Sequence, residues 1–143
     1  MKVELEKILS VSGKSGLYRV LNGGKSTVIA ESLVDGKKQP IHATQRVSAL
    51  SDISMFTLED DVPLREVFLR VKEHYASGPS IDHKSEGSVL RAAMSKVLPD
   101  YDEERVYESD IRKLFQWYNL LQSKGMLDFA EPEVEEEEVE EEE

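Results

Sequence analysis

Residues 106–127, VYESDIRKLFQWYNLLQSKGML, hold the only tryptophan of the chain and its best-bounded helix. Ser109 stands where an N-cap is expected, and Asp110 places negative charge in the first turn. Lys124 lies in the last turn, and Gly125 follows as a left-handed stop. Between these ends Ile111, Leu114, Phe115, Tyr118, Leu121 and Gln122 recur at helical spacing, and five of the six are apolar or aromatic. Trp117 and Leu120 widen the stripe, so the helix is expected to pack on two sides. It explains how the C-terminal half coheres and carries no chemistry of its own.

Two more amphipathic stretches precede it. Pro63 sits in a first helical turn after the acidic run Glu59-Asp60-Asp61, and Leu64, Val67, Phe68, Val71 and Tyr75 follow with helical period. Ser77-Gly78-Pro79-Ser80 breaks that helix. Ser85 can cap the next, where Val89, Leu90, Ala93, Met94, Val97 and Leu98 recur until Pro99. A three-helix unit over residues 59–130 is too small to be more than marginal alone, so it is expected to dock on its neighbour. Met126, Leu127 and Phe129 are expected to fold back as a plug.

Residues 1–58 carry a period of two instead. Lys7–Val11, Leu17–Leu21, Ser26–Leu33, Lys38–Ala43 and Ile53–Thr57 read as five short strands separated by turn residues. Asp35-Gly36 is the strongest hairpin signal. Pro40 cannot donate to a ladder, which predicts an edge strand or a bulge. The spacing predicts an α+β fold: a small SH3-like β-barrel, then the three-helix unit, then a disordered acidic tail over 131–143. Ten glutamates and no base fall in that last stretch, too much charge and too little apolar surface to order itself.

The net charge of −11 is therefore mostly the tail; without its ten glutamates the body stands at −1. Residues 1–58 hold eight Lys/Arg against five Asp/Glu, a surplus that permits but does not announce nucleic-acid binding. No cysteine is present, which excludes disulfides, thiolate metal sites and cysteine nucleophiles. No apolar run suits a signal peptide or a membrane span, so a soluble, cytoplasmic protein is expected.

Few residues offer chemistry. Gly24-Lys25-Ser26-Thr27 and Gly13-Lys14-Ser15 look like the end of a phosphate loop but lack its first glycine, with Arg19 and Ile8 in those places. Both also join strands, whereas a phosphate loop opens a helix. His42, His74 and His83 show no metal-ligand spacing, and Asp100, Asp102, Glu103 and Glu104 lack the calcium-loop pattern. No metal, cofactor or catalytic residue is expected. The basic residues of the first third, with one aromatic among them, point to a binding face built from Tyr18, Arg19, Lys37, Lys38 and Arg46. Its expected partner is RNA or an acidic protein segment, which the glutamate tail could mimic in cis. Two rivals stand beside this binding or adaptor reading. One is an enzyme with Asp82, His83 and His74 in a cleft between barrel and helices. The other is a homodimer with Trp117 and Tyr118 partly exposed at the contact.

Taken together, KILSVSGKSGLYRV, ESLVDGKKQPIHATQRVSALSDISMFT and LPDYDEERVYESDIRKLFQWYNLLQSKGMLDF resemble a family of short, uncharacterised bacterial proteins ending in glutamates. The resemblance covers residues 5–143. It implies an SH3-like N-terminal barrel and a helical C-terminal domain, with no activity, cofactor or substrate to carry across.

Overall fold

The computed structural model describes residues 3–11, 16–23, 27–42 and 46–129. Strands β1 (Ile8–Val11), β2 (Tyr18–Gly23), β3 (Thr27–Ser32), β4 (Lys38–His42) and β5 (Val47–Ala49) form one antiparallel sheet in the order β4-β3-β2-β1-β5. A 3-10 turn, Leu50–Asp52, leads to β6 (Ser54–Phe56), which pairs with β7 (Asp61–Pro63) as a separate hairpin. Helices α1 (Leu64–His74), α2 (Gly87–Val97) and α3 (Glu108–Ser123) complete the fold. The architecture is α+β.

Two features of the sheet depart from expectation. Among the described residues it does not close into a barrel, because β4 and β5 remain as its two edges. Its fifth strand is also not Ile53–Thr57 but Val47–Ala49, which pairs with β1. The Ile53–Thr57 run instead gives β6 and belongs with the helices: Ser54–Pro63 forms the hairpin, and Leu64 at the start of α1 donates its N–H to the Ile53 carbonyl at 2.9 Å. That hairpin spans the junction expected at residue 58. The turn signals fare better. Gly36 has a φ of 76° in the β3–β4 turn, which Asp35 closes by accepting the Lys37 N–H at 3.0 Å. Pro40 lies on the edge strand β4, where a missing donor costs the ladder least.

The sheet has a core on each face. On one face Ile8, Leu17, Leu33 and Leu50 join Phe68, Met94, Phe115 and Tyr118 in a single cluster that runs from strands to helices. On the other, Leu9, Val11, Tyr18, Ala30 and Ile41 make a smaller cluster with Val20 and Ala49, drawn from all five strands and from no helix.

Helix α3 organises the helical layer as its periodicity predicts, with Ile111, Leu114, Phe115, Trp117, Tyr118 and Leu121 buried. Its N-cap is Tyr107 rather than Ser109, because the Asp110 carboxylate reaches back to accept the Tyr107 N–H at 2.9 Å. Its other end is the expected glycine stop. Gly125 has a φ of 69° and donates to the Gln122 carbonyl at 3.0 Å, and Met126 donates to Leu121 at 2.8 Å, which is a Schellman closure. The chain then folds back as expected. Leu127 and Phe129 are buried, Phe129 stacks on Phe68 at 5.4 Å, and Val3 donates its N–H to the Asp128 carbonyl at 2.7 Å.

The outer side of α3 pins the loop after α1. Asn119 Oδ1 accepts the Ser80 N–H at 2.7 Å and its Nδ2 donates to the Ile81 carbonyl at 2.9 Å. The Tyr118 hydroxyl donates to the Gly78 carbonyl at 2.8 Å. Burial, with Tyr75 nearby, raises the Tyr118 pKa above the usual phenol value. These bonds hold a loop entered through Ala76 and Ser77, both in the left-handed region at φ of 52° and 66°.

Candidate functional site

Strand pleating separates the five residues expected to share a binding face. Arg19 pairs in register with Glu31, and Glu31 with Lys38, so the three form one row across β2, β3 and β4 on the helix-side face. Arg19 Nη2 contacts Glu31 Oε1 at 2.8 Å. Lys37 lies in the adjoining turn, where its carbonyl accepts the Ser32 N–H at 2.9 Å. Tyr18 neighbours Arg19 in sequence and so faces the opposite way, buried in the smaller core. Arg46 precedes β5, at the far edge of the sheet from Lys38. The structure thus puts Arg19 and Lys38 on one face, leaves Lys37 in the turn beside Lys38, and sets Tyr18 and Arg46 apart.

Arg19 also lies on the rim of a groove of about 500 Å³. One wall is the sheet, with Arg19 and Glu31 above the apolar Ile8 and Leu33. The other comes from both ends of the described chain: Val3, Glu4 and Lys7 from the first, and Lys124, Gly125 and Met126 from the turn that ends α3. Among the described residues three cations and two carboxylates therefore line the groove, and Lys7 Nζ meets Glu4 Oε1 at 3.1 Å. Beyond Arg19 the same face continues outward with Ile29, 37% exposed and opposite the exposed Pro40, and with Leu21 beside it at a bulge. No local motif marks this groove, because its walls are far apart in sequence. The pleat of Leu17–Leu21 and the Gly125 stop were its only legible parts.

A second cleft of about 230 Å³ separates β6 from α3, with Met55, Phe56, Leu114 and Trp117 on its walls and Asp110 and Lys113 at its mouth. Arg105 stacks over Phe56, 4.3 Å from the ring centre, while its Nε contacts Asp102 Oδ2 at 2.8 Å. That bond holds the Asp102 carboxyl below the usual carboxylate value.

The residues of the rival readings lie elsewhere. His83 Nδ1 is 3.7 Å from Asp82 Oδ1, and His74 packs edge-on against Tyr75 at 4.8 Å. None of the three lines either cleft. Trp117 and Tyr118 are both buried, so the exposed aromatic contact expected for a homodimer is absent from that stretch of α3. Among the described residues no three His, Asp or Glu side chains converge as metal ligands, and no helix is long and apolar enough to cross a membrane. Gly13-Lys14-Ser15 and Gly24-Lys25-Ser26 of the stretches that resemble phosphate loops lie outside the described residues, as does the acidic tail over 131–143; the described strands flanking them pair antiparallel, β1 with β2 and β2 with β3.

The comparisons follow this division of the fold. A domain of unknown function (DUF5606) matches residues 5–50, and a second (DUF6852) matches residues 53–121. A solution NMR structure from Bacteroides vulgatus, determined by a structural genomics consortium, is 39% identical, covers 85% of this chain and 87% of its own, and superposes with a TM-score of 0.71. The chain belongs to the family of that Bacteroides protein. No curated protein matches it. The two matches meet at the 3-10 turn Leu50–Asp52, between the five-stranded sheet and the hairpin of the helical layer. The wall of the groove formed by Lys124, Gly125 and Met126 lies outside both of them.

Proposed function

We propose that the protein is a non-catalytic cytoplasmic binding or adaptor module, and that its partner is a short acidic protein segment carrying apolar side chains. One observation carries this reading: Lys7, Arg19 and Lys124 outnumber Glu4 and Glu31 along a groove of about 500 Å³ that has the half-buried Met126 on its wall. Such a lining offers charge and apolar contact to a chain laid along it. RNA is the weaker candidate. Single strands are held largely by stacking on exposed aromatics, and Tyr18, the aromatic of the expected face, is buried on the other side of the sheet.

The same reading takes the sheet as an opened SH3-like roll. Supporting it are the meander β1–β4 with β5 returning beside β1, and the 3-10 turn directly after β5. The smaller core also draws on all five strands without a helix, as a sheet curled over that face does.

Selection of displayed peptides tests the function. Acidic, apolar-containing sequences are expected to enrich on the native chain and to be lost on Arg19→Gln/Lys124→Gln. Glutamine is the better substitution at 19, because a glutamate there would oppose Glu31 across the strands. Both side chains are exposed, so the unfolding midpoint should barely move. Enrichment of the same peptides on both proteins would remove the groove from consideration. Salt-sensitive anisotropy of a labelled RNA, with no peptide enriched, would replace the protein partner with RNA.

A further inference from the structure

We infer that the groove beside Arg19 is occupied in cis by the chain's own acidic segment, residues 130–143, so that an external acidic partner binds by displacing it. This rests on the reading of that groove as a binding site. Three observations converge on it. Phe129 pairs with Val3, whose N–H holds the Asp128 carbonyl, and Val3 and Glu4 are themselves groove residues. The segment therefore leaves the body at the groove wall. Its composition is the second: ten glutamates, two valines and no base. The third is the lining, where Lys7, Arg19 and Lys124 outnumber Glu4 and Glu31 and Met126 is partly exposed, so that both the carboxylates and the valines find partners.

Exposed ion pairs are individually weak, and Lys7 and Arg19 already have Glu4 and Glu31 beside them. What makes an exchange of partners effective is the tether. A segment attached at the edge of its own site is present at an effective concentration of about millimolar without any dilution into solvent. Reach is no obstacle, since fourteen residues extend to roughly 46 Å. An untethered acidic peptide of equal intrinsic affinity must match that local concentration to displace the segment, so only a tighter-binding partner competes when dilute.

The absence of cysteine from the sequence makes the test direct. Glu140→Cys gives a single attachment point for a spin label in the full-length chain. Two versions are compared: one with the remaining tail glutamates intact, one with all of them changed to glutamine. Proximity of the tether alone broadens nearby amide signals equally in both. Docking by charge is expected to broaden Arg19 and Gly36 several-fold more in the glutamate version, and the excess should vanish near 1 M salt, where screening acts within about 3 Å. Equal broadening in both versions, or an excess indifferent to salt, would overturn the inference. The peptide selected on the groove should also bind the glutamine version several-fold more tightly. Equal affinity for both versions, with equal broadening, sinks cis-occupancy and leaves the proposed function standing. Excess broadening with no peptide ever selected supports cis-occupancy and counts against the proposed function alone.

Discussion

Facing the loop between α1 and α2, α3 commits polar side chains to backbone; along the groove, charged side chains are paired with one another. Tyr118, Asn119 and Arg112 direct their polar atoms at Gly78, Ser80, Ile81 and His83, fixing the loop between α1 and α2. Glu4 with Lys7 and Arg19 with Glu31 meet instead as side-chain pairs at the surface. The two arrangements differ in what can be exchanged. Breaking a partly buried bond to backbone leaves a carbonyl or amide unsatisfied, whereas an exposed ion pair can trade one carboxylate for another at almost no cost. The helical layer therefore holds the fold, and the sheet face keeps its charges available.

Substitutions can break or sharpen that contrast. The largest effect is expected at Trp117, which is 8% exposed within the main core. Trp117→Ala should cost about 3–5 kcal/mol in denaturant unfolding, and a loss below about 1 kcal/mol would place the indole among surface residues. Tyr18→Ala should cost about 2–3 kcal/mol, less because the smaller core is shallower. Both should shift one cooperative transition, since Ile8, Leu17 and Leu33 on the sheet share a cluster with the helices. Two separate transitions would mean the layers fold independently. Gly125→Ala forces a side chain into a left-handed position at the end of α3 and should cost about 1 kcal/mol, read as a lower thermal midpoint. The smallest effect concerns acid. Arg105 depresses the Asp102 carboxyl below its ordinary 3.8, so its contribution is complete above that value and is lost as pH falls through the lower, folded one. Thermal midpoints followed down to about pH 2.5 should fall less steeply in Asp102→Asn than in the native chain.

Helices were the most legible part of the sequence, because α1, α2 and α3 each carry a long stripe whose period needs no knowledge of partners. Tight turns were legible where chemistry demands a special backbone, as at Gly36 and Gly125. Strand identity was visible but strand partnership was not. Ser54–Phe56 has the right period, yet its partner Asp61–Pro63 is three residues long and ends in proline, so nothing local says that it leaves the main sheet. Val47–Ala49 is too short to show a period at all. The site was harder still. Alternation in Leu17–Leu21 already placed Tyr18 and Arg19 on opposite faces, and that should have dissolved the five-residue set. Bringing Lys7 and Lys124 to one rim depends on the pairing of Val3 with Phe129, which no periodicity encodes.

That pairing also makes the described body nearly a ring. Its two ends lie side by side, so a linker of a few residues could join Phe129 to Val3 and let the chain be reopened elsewhere, for instance at the exposed turn Glu103–Glu104. In such a permuted molecule the sheet order and both cores would be unchanged, but the acidic segment would no longer be launched from the lip of the groove.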